Sequence, residues 1–203
     1  MGSSALILVD IQNDFLPGGA LAVADGDAVV GAANALIASG SYDLLVATQD
    51  WHPPHHESFA VHHDGFDVGQ VIDLHGLSQV LWPVHCVQET AGAAFSEELE
   101  TRAIDAVFRK GQDPQVDSYS GFFDNGRRVS TGLSEWLREH GVSTVGVCGL
   151  ATDFCVKFTA LDAVAEGFET LLHLAACRGV ELSPGDSDRA VEEMRRAGVR
   201  TKP

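Results

Sequence analysis

The sequence predicts an α/β fold, a three-layer α/β/α arrangement around a mostly parallel, doubly wound central sheet. Three observations carry this. Short apolar runs alternate with helical stretches along the chain, the pattern of parallel strands joined by crossover helices. Reactive side chains stand where apolar runs end: Asp10, Asp50, Lys110 and Cys155. In an open α/β sheet those ends converge on one crevice. Finally, 203 residues with 45% hydrophobic content supply one sizeable core and fall short of two full domains, so residues 1–203 are read as one domain.

Taken in order, Ala5 to Val9 is a buried-strand run, followed by a loop from Asn13 to Gly26 that contains Pro17-Gly18-Gly19. Asp27 is placed to cap a helix through Ser39, with Val30, Ala33 and Ile37 on one face and Gly40 as its stop. Tyr42 to Thr48 reads as the second strand. From Asp50 to about Trp82 no periodicity is sustained, and so long a connection in a compact domain is usually functional. Beyond it come a short helix at Ser96 to Arg102, a strand at Ala106 to Arg109, an irregular stretch from Gly111 to Gly126, and a helix at Leu133 to Glu139 ended by Gly141. A strand at Thr144 to Val147 leads past Gly149 into a helix from about Phe154 to Glu166. A strand at Thr170 to Leu174, a helix at Asp188 to Ala197 and a stub at Val199 to Thr201 complete the chain.

Composition excludes several classes. A formal charge of −16, from 29 acidic and 13 basic residues, would repel a phosphate backbone, so nucleic acid is not expected as a partner. No apolar run is long enough to span a bilayer, and the N-terminus lacks a basic region followed by an apolar one. Met1-Gly2 does not open a myristoylation signal, because Leu6 stands where a hydroxyl residue is required. Cys86, Cys148, Cys155 and Cys177 are widely spaced without a Cys-x-x-Cys pair, which fits a reducing cytoplasm. Neither a Gly-x-Gly-x-x-Gly after the first strand, nor a phosphate-loop lysine, nor a Gly-x-Ser-x-Gly elbow is present. Cysteine chemistry, metal chemistry or both remain.

Cys155 lies where a strand gives way to a helix. The macrodipole at a helix start is expected to lower a thiol's pKa, and nearby amides can hold an oxyanion. The plain alternative, a buried structural thiol, is favoured for the other three cysteines. A nucleophilic thiol needs a base, and Asp10 and Asp50 both follow strands where a carboxylate is expensive unless paired. Lys110, one of three lysines, can pair with Asp10 and favour a thiolate. Seven of the nine histidines fall between His52 and His85. Asp50 and His52 share a face if the chain is extended, His56 or His55 can close on the same ion, and His85 can add an imidazole from a separate loop. Such a set suits iron, zinc, manganese or nickel. Solvated loop histidines are the reading for His62, His63 and His75.

These residues resemble the nicotinamidases of the isochorismatase-like cysteine hydrolase superfamily. The likeness rests on Leu8-Val9-Asp10-Ile11-Gln12-Asn13-Asp14-Phe15, Thr48-Gln49-Asp50-Trp51-His52-Pro53, His56-Glu57-Ser58-Phe59-Ala60, Trp82-Pro83-Val84-His85-Cys86-Val87, Lys110-Gly111, Tyr119-Ser120-Gly121-Phe122 and Ala151-Thr152-Asp153-Phe154-Cys155-Val156. It implies a catalytic triad at Asp10, Lys110 and Cys155 and one divalent transition metal, zinc or iron before manganese, on Asp50, His52, His56 and His85. It also implies a non-proline cis peptide at Leu150-Ala151, an oxyanion site at the Ala151 and Cys155 amides, and ring contacts from Phe15, Trp82 and Tyr119. The implied reaction is hydrolysis of nicotinamide to nicotinate and ammonia through a thioester, with pyrazinamide as a further substrate. Self-association is left open, and residues Val61 to Gln79 match nothing in the family residue by residue. Two other readings compete: a metal-free isochorismatase or carbamoyl amidase, and a metal-binding module in which Cys155 is inert.

Overall fold

The computed structural model describes residues 2–203; Met1, with which the single-domain reading and the N-terminal reading both begin, lies outside the described residues. Six parallel strands form the central sheet: β1 (Ser3–Val9), β2 (Leu44–Asp50), β5 (Ala106–Lys110), β6 (Val142–Leu150), β7 (Glu169–Arg178) and β8 (Arg200–Lys202). Their order is β5-β2-β1-β6-β7-β8. Ala5 to Val9 are all fully buried, as an unbroken apolar strand in the middle of a parallel sheet must be. Two further strands, β3 (Val71–Leu74) and β4 (Leu77–Val80), form a separate antiparallel hairpin.

From β1 the chain moves outward through β2 to β5, then returns to the other side of β1 and moves outward again through β6, β7 and β8. With right-handed crossovers, this reversal puts the connection α1 (Asp27–Ala38) on the face opposite α3 (Lys157–Ala165) and α4 (Asp186–Arg196). The remaining helix, α2 (Leu133–Glu139), packs on β6. The switch point therefore falls between β1 and β6, and it is there that an open sheet leaves a crevice.

Gly149 makes this junction close. It pairs with Val9 across the two strands, its φ is +128°, and a Cβ built on it would stand 2.0 Å from the Val9 carbonyl oxygen. Only glycine offers that conformation without a clash.

Several elements differ from the sequence reading. The helix expected at Ser96 to Arg102 is absent, and only a short turn, Thr101–Ala103, forms. The reason is Asn34 on α1, whose amide donates to Glu98 O (2.7 Å) and accepts from Glu100 N–H (2.9 Å), taking backbone groups a helix would pair internally. Asp27 is the first helical residue of α1 and does not cap it. The second strand starts two residues late and runs on to Asp50, because the Gln12 side chain continues the ladder past the end of β1. Gln12 Oε1 accepts from Asp50 N–H and its Nε2 donates to Asp50 O, both at 2.8 Å. The hairpin β3–β4 lies in a segment read as irregular, too short to show a period.

Replacing Gly149 with alanine is expected to destabilise the protein by about 3 kcal/mol or more, since it adds a clash with backbone to an unfavourable φ. Urea unfolding of the two proteins measures this, and equal midpoints would show that β1 and β6 can part without loss.

Candidate active site

Four side chains meet at the switch point. Asp10 directly follows β1, is fully buried and has a φ of +48°. Thr48 Oγ1 on β2 donates to Asp10 Oδ1 at 2.6 Å. Lys110, the last residue of β5, sends its Nζ across β2 into the same space. It lies 2.8 Å from Asp10 Oδ2, 2.5 Å from Asp50 Oδ1, 2.9 Å from Ser118 O and 3.4 Å from Cys155 Sγ. Asp50 and Lys110 are register partners at the ends of their strands, which is why residues 60 positions apart touch.

Cys155 sits in a wide helical turn, Thr152–Val156, that joins β6 to α3. Val156 N–H reaches back five residues to Ala151 O at 3.0 Å, the single-turn widening often found at functional sites. The Leu150–Ala151 peptide is cis.

The electrostatics follow from burial and from Lys110. Burial would lower the Lys110 pKa, but Asp10 and Asp50, with Cys155, push it well above the usual lysine value. Asp50 is opposed by burial, yet Lys110 and His52 hold its carboxyl well below the ordinary range. Burial raises Asp10, which Lys110 only partly counters. The Cys155 thiol is pushed well above its usual value by burial first, with Lys110 lowering it and Asp10 and Asp50 raising it again. This corrects the expectation that the helix start makes it a ready thiolate: desolvation and two carboxylates outweigh a terminal dipole. The resting group is a thiol.

The histidines form a second cluster against Asp50. His52 Nε2 lies 3.5 Å and His85 Nε2 3.8 Å from Asp50 Oδ2. His52 Nδ1 is 2.9 Å from Gly111 O and His85 Nδ1 2.9 Å from Pro83 O. A carbonyl only accepts, so both imidazoles donate from Nδ1 and turn Nε2 toward Asp50. Gly111 permits the first of these contacts, since a Cβ there would fall 2.4 Å from His52 Cε1. His85 is held by its neighbours: Cys86 N–H donates to Asp14 Oδ2 at 2.7 Å, and Cys86 O accepts from His52 N–H at 3.0 Å.

His56 is buried and turned into this space, whereas His55 is exposed. Its ring stands 4.4 Å from that of His52. His56 Nδ1 is 2.7 Å from Ser58 Oγ and 3.1 Å from Ser58 N, which turns its Nε2 toward the cluster. Burial and the neighbouring His52 lower its pKa to about 4. His52 Nε2 and His56 Nε2 are both buried without a hydrogen-bond partner. Two orphaned ring nitrogens beside an ionised carboxylate fit a bound cation and its water.

Phe15, Trp82 and Tyr119 line the mouth of the crevice beside Cys155, together with Phe154 and Asp117. These rings wall a narrow slot beside Cys155, with Trp82 and Phe154 edge to face and their centroids 4.8 Å apart. His62, His63 and His75 lie outside the cluster and bond to Pro54 O, Glu57 O and the Glu57 carboxylate. Sequence reasoning missed Thr48, Gln12, Phe154 and Asp117. Thr48 had a signal, as the β2 residue in register with Val9. Asp117 stands in an irregular stretch, where nothing in the pattern marks it as buried.

The isochorismatase domain model matches residues 4–201. The chain belongs to the isochorismatase family. Within this family it is 50% identical to nicotinamidase from Escherichia coli over 203 residues, covering 98% of this chain and 94% of that one. Among solved structures, a nicotinamidase/pyrazinamidase from Acinetobacter baumanii superposes with a TM-score of 0.94 at 45% identity, covering 99% of this chain and 96% of that one. A zinc complex of pyrazinamidase from Pyrococcus horikoshii superposes at 0.79 with 39% identity over 98% of both chains.

Lys110→Met leaves two buried carboxylates facing each other, and a loss of about 3–5 kcal/mol is expected at pH 8. Carboxyls without their counter-ion have raised folded pKa values and take up protons that the unfolded chain has released. The deficit should therefore shrink as the pH falls from 8 toward 5. Urea unfolding at several pH values checks this; a deficit independent of pH would show that the charges are not what Lys110 compensates.

Proposed function

We propose that the protein is a metal-dependent nicotinamidase, hydrolysing nicotinamide to nicotinate and ammonia through a thioester on Cys155, and that it also accepts pyrazinamide. The observation that carries this is the meeting of Asp10, Lys110 and Cys155 beneath an aromatic slot and beside the Asp50 and histidine cluster. The reading takes the whole chain as one hydrolase domain. It is supported by the relatives and by the chemistry of the site.

Because Cys155 rests as a thiol, its deprotonation accompanies attack. Asp10, unusually basic for a carboxylate, takes the proton as sulfur adds to the carboxamide carbon. The amides of Ala151 and Cys155 receive the developing oxyanion. Protonated Asp10 then gives its proton to the departing nitrogen and ammonia leaves. In the second half Asp10 draws a proton from water, which adds to the thioester carbon and expels the sulfur, and Asp10 then returns that proton to the sulfur to restore the thiol. Lys110 keeps its charge throughout and balances the negative charge as it moves from Asp10 to sulfur. Phe15, Trp82 and Tyr119 hold the ring flat.

Asp50, His52, His56 and His85 would hold the metal. When bound, the ion supplies a Lewis acid for the pyridine nitrogen. Zinc is the proposed ion ahead of iron or manganese. The metal-free relatives of the runner-up reading have no use for two orphaned imidazole nitrogens beside Asp50, and this observation favours the metal-dependent one. Four free thiols support a reducing cytoplasm as the working compartment.

Cys155→Ala should release no ammonia from nicotinamide while unfolding as the parent does; residual turnover would remove the covalent route. Chelation should lower the rate and added zinc restore it. His52→Ala and His85→Ala should lose bound metal by elemental analysis, while His62→Ala should not.

The two carboxylates should fail differently. Asp10→Asn is expected to keep its metal and lose about a thousandfold or more in kcat, whereas Asp50→Asn should lose metal and recover part of its rate with excess zinc. Metal loss in the Asp10 variant, or full metal content in the Asp50 variant, would show that the roles are exchanged.

A further inference from the structure

The hairpin β3–β4 carries none of the residues assigned so far. Its turn, His75-Gly76, has φ of +52° and +82°, the two-residue form that matches the twist of paired strands. From β4 it delivers one polar side chain inward: Gln79, only 2% exposed. Gln79 Nε2 lies 2.8 Å from Val80 O, 2.9 Å from Asp117 Oδ2 and 3.1 Å from Tyr119 Oη. Trp82 Nε1 donates to the same Tyr119 oxygen at 3.3 Å. The carboxylate of Asp117, itself 3% exposed, accepts one other hydrogen bond among the described residues, from its neighbour Ser118 N–H at 2.7 Å.

We propose that Gln79 is a positioning residue that holds the substrate slot in shape through Tyr119 and Asp117. Its amide does two things at once. It gives the buried Asp117 carboxylate a second N–H beside that of Ser118, and it fixes the tip of the Tyr119 ring, whose centroid stands 5.4 Å from that of Phe154. Without the amide, the Tyr119 oxygen keeps only the Trp82 N–H and the Asp117 carboxylate keeps only that of Ser118, so the tip of the ring is held by one weak contact in place of two. None of the three atoms that Gln79 Nε2 touches belongs to Asp10, Lys110 or Cys155, so ring binding changes and the chemistry does not. The inference rests on the nicotinamidase reading, because it assigns the slot to the substrate ring.

The test is steady-state ammonia release from nicotinamide by the zinc-loaded enzyme. Gln79→Met keeps the length of the side chain and removes its donor. KM should rise about tenfold with kcat within about threefold, the signature of lost ground-state and transition-state binding alike. Tyr119→Phe, which keeps the ring and loses the oxygen, should shift KM in the same direction, and the double variant should be no worse than the larger single change. Adding Asp117→Asn to Gln79→Met should recover part of the KM, since the buried carboxylate that has lost one of its two donors is replaced by a neutral amide; a purely structural role would not be rescued this way. A fall in kcat at constant KM, an unchanged KM in Tyr119→Phe, or shifts that multiply in the double variant would overturn the inference alone. A parent protein that releases no ammonia would overturn the proposed activity and the inference with it.

Discussion

One buried ammonium group organises the centre of this molecule. Lys110 Nζ contacts two carboxylates, a backbone carbonyl and a thiol, and each belongs to a different segment. Asp10 and Asp50 could not both be ionised in a dry interior a few ångströms apart without it. Its position at the end of β5, the outermost strand on that side, means that its side chain must pass the end of β2 to reach β1 and β6. The three-strand reach ties the sheet's edge to its middle. The same cation joins the cluster that holds sulfur chemistry to the cluster that would hold a metal, because Asp50 belongs to both.

Around this charge the site is built by backbone groups as much as by side chains. Carbonyls of Gly111 and Pro83 set the tautomers of His52 and His85. Ser58 Oγ stands 2.7 Å behind the Nδ1 of His56. Each of the three imidazoles is thus backed at Nδ1 and turns its Nε2 toward the cluster, an orientation decided by what stands behind each ring.

The sheet was legible because its middle strands are buried on both faces and read as continuous apolar runs, and because Gly40, Gly141 and Gly149 punctuate the chain. Asp10, Lys110 and Cys155 could be picked out by position at strand ends. Three things could not. The β3–β4 hairpin has strands of four residues, too few to establish a period. The glutamate-rich stretch after Ser96 has helical composition, but Asn34, more than sixty positions away, claims its backbone. The titration of Cys155 depends on Asp50 and Lys110 arriving from β2 and β5, whereas the local sequence shows only the helix start. In the last two cases the deciding contact is distant along the chain.

The pairing of β1 with β6 has a consequence for how the protein is made. Ser3 and Val142 are partners roughly 140 residues apart, so β1 emerges from the ribosome long before its second neighbour exists. At about 5–20 residues per second, the nascent chain carries the open edge of its most apolar strand for on the order of ten to thirty seconds. Such an edge is a template for pairing with other chains. Synthesis thus passes through an interval in which solubility depends on what covers that edge, and the interval closes only as β6 docks against it.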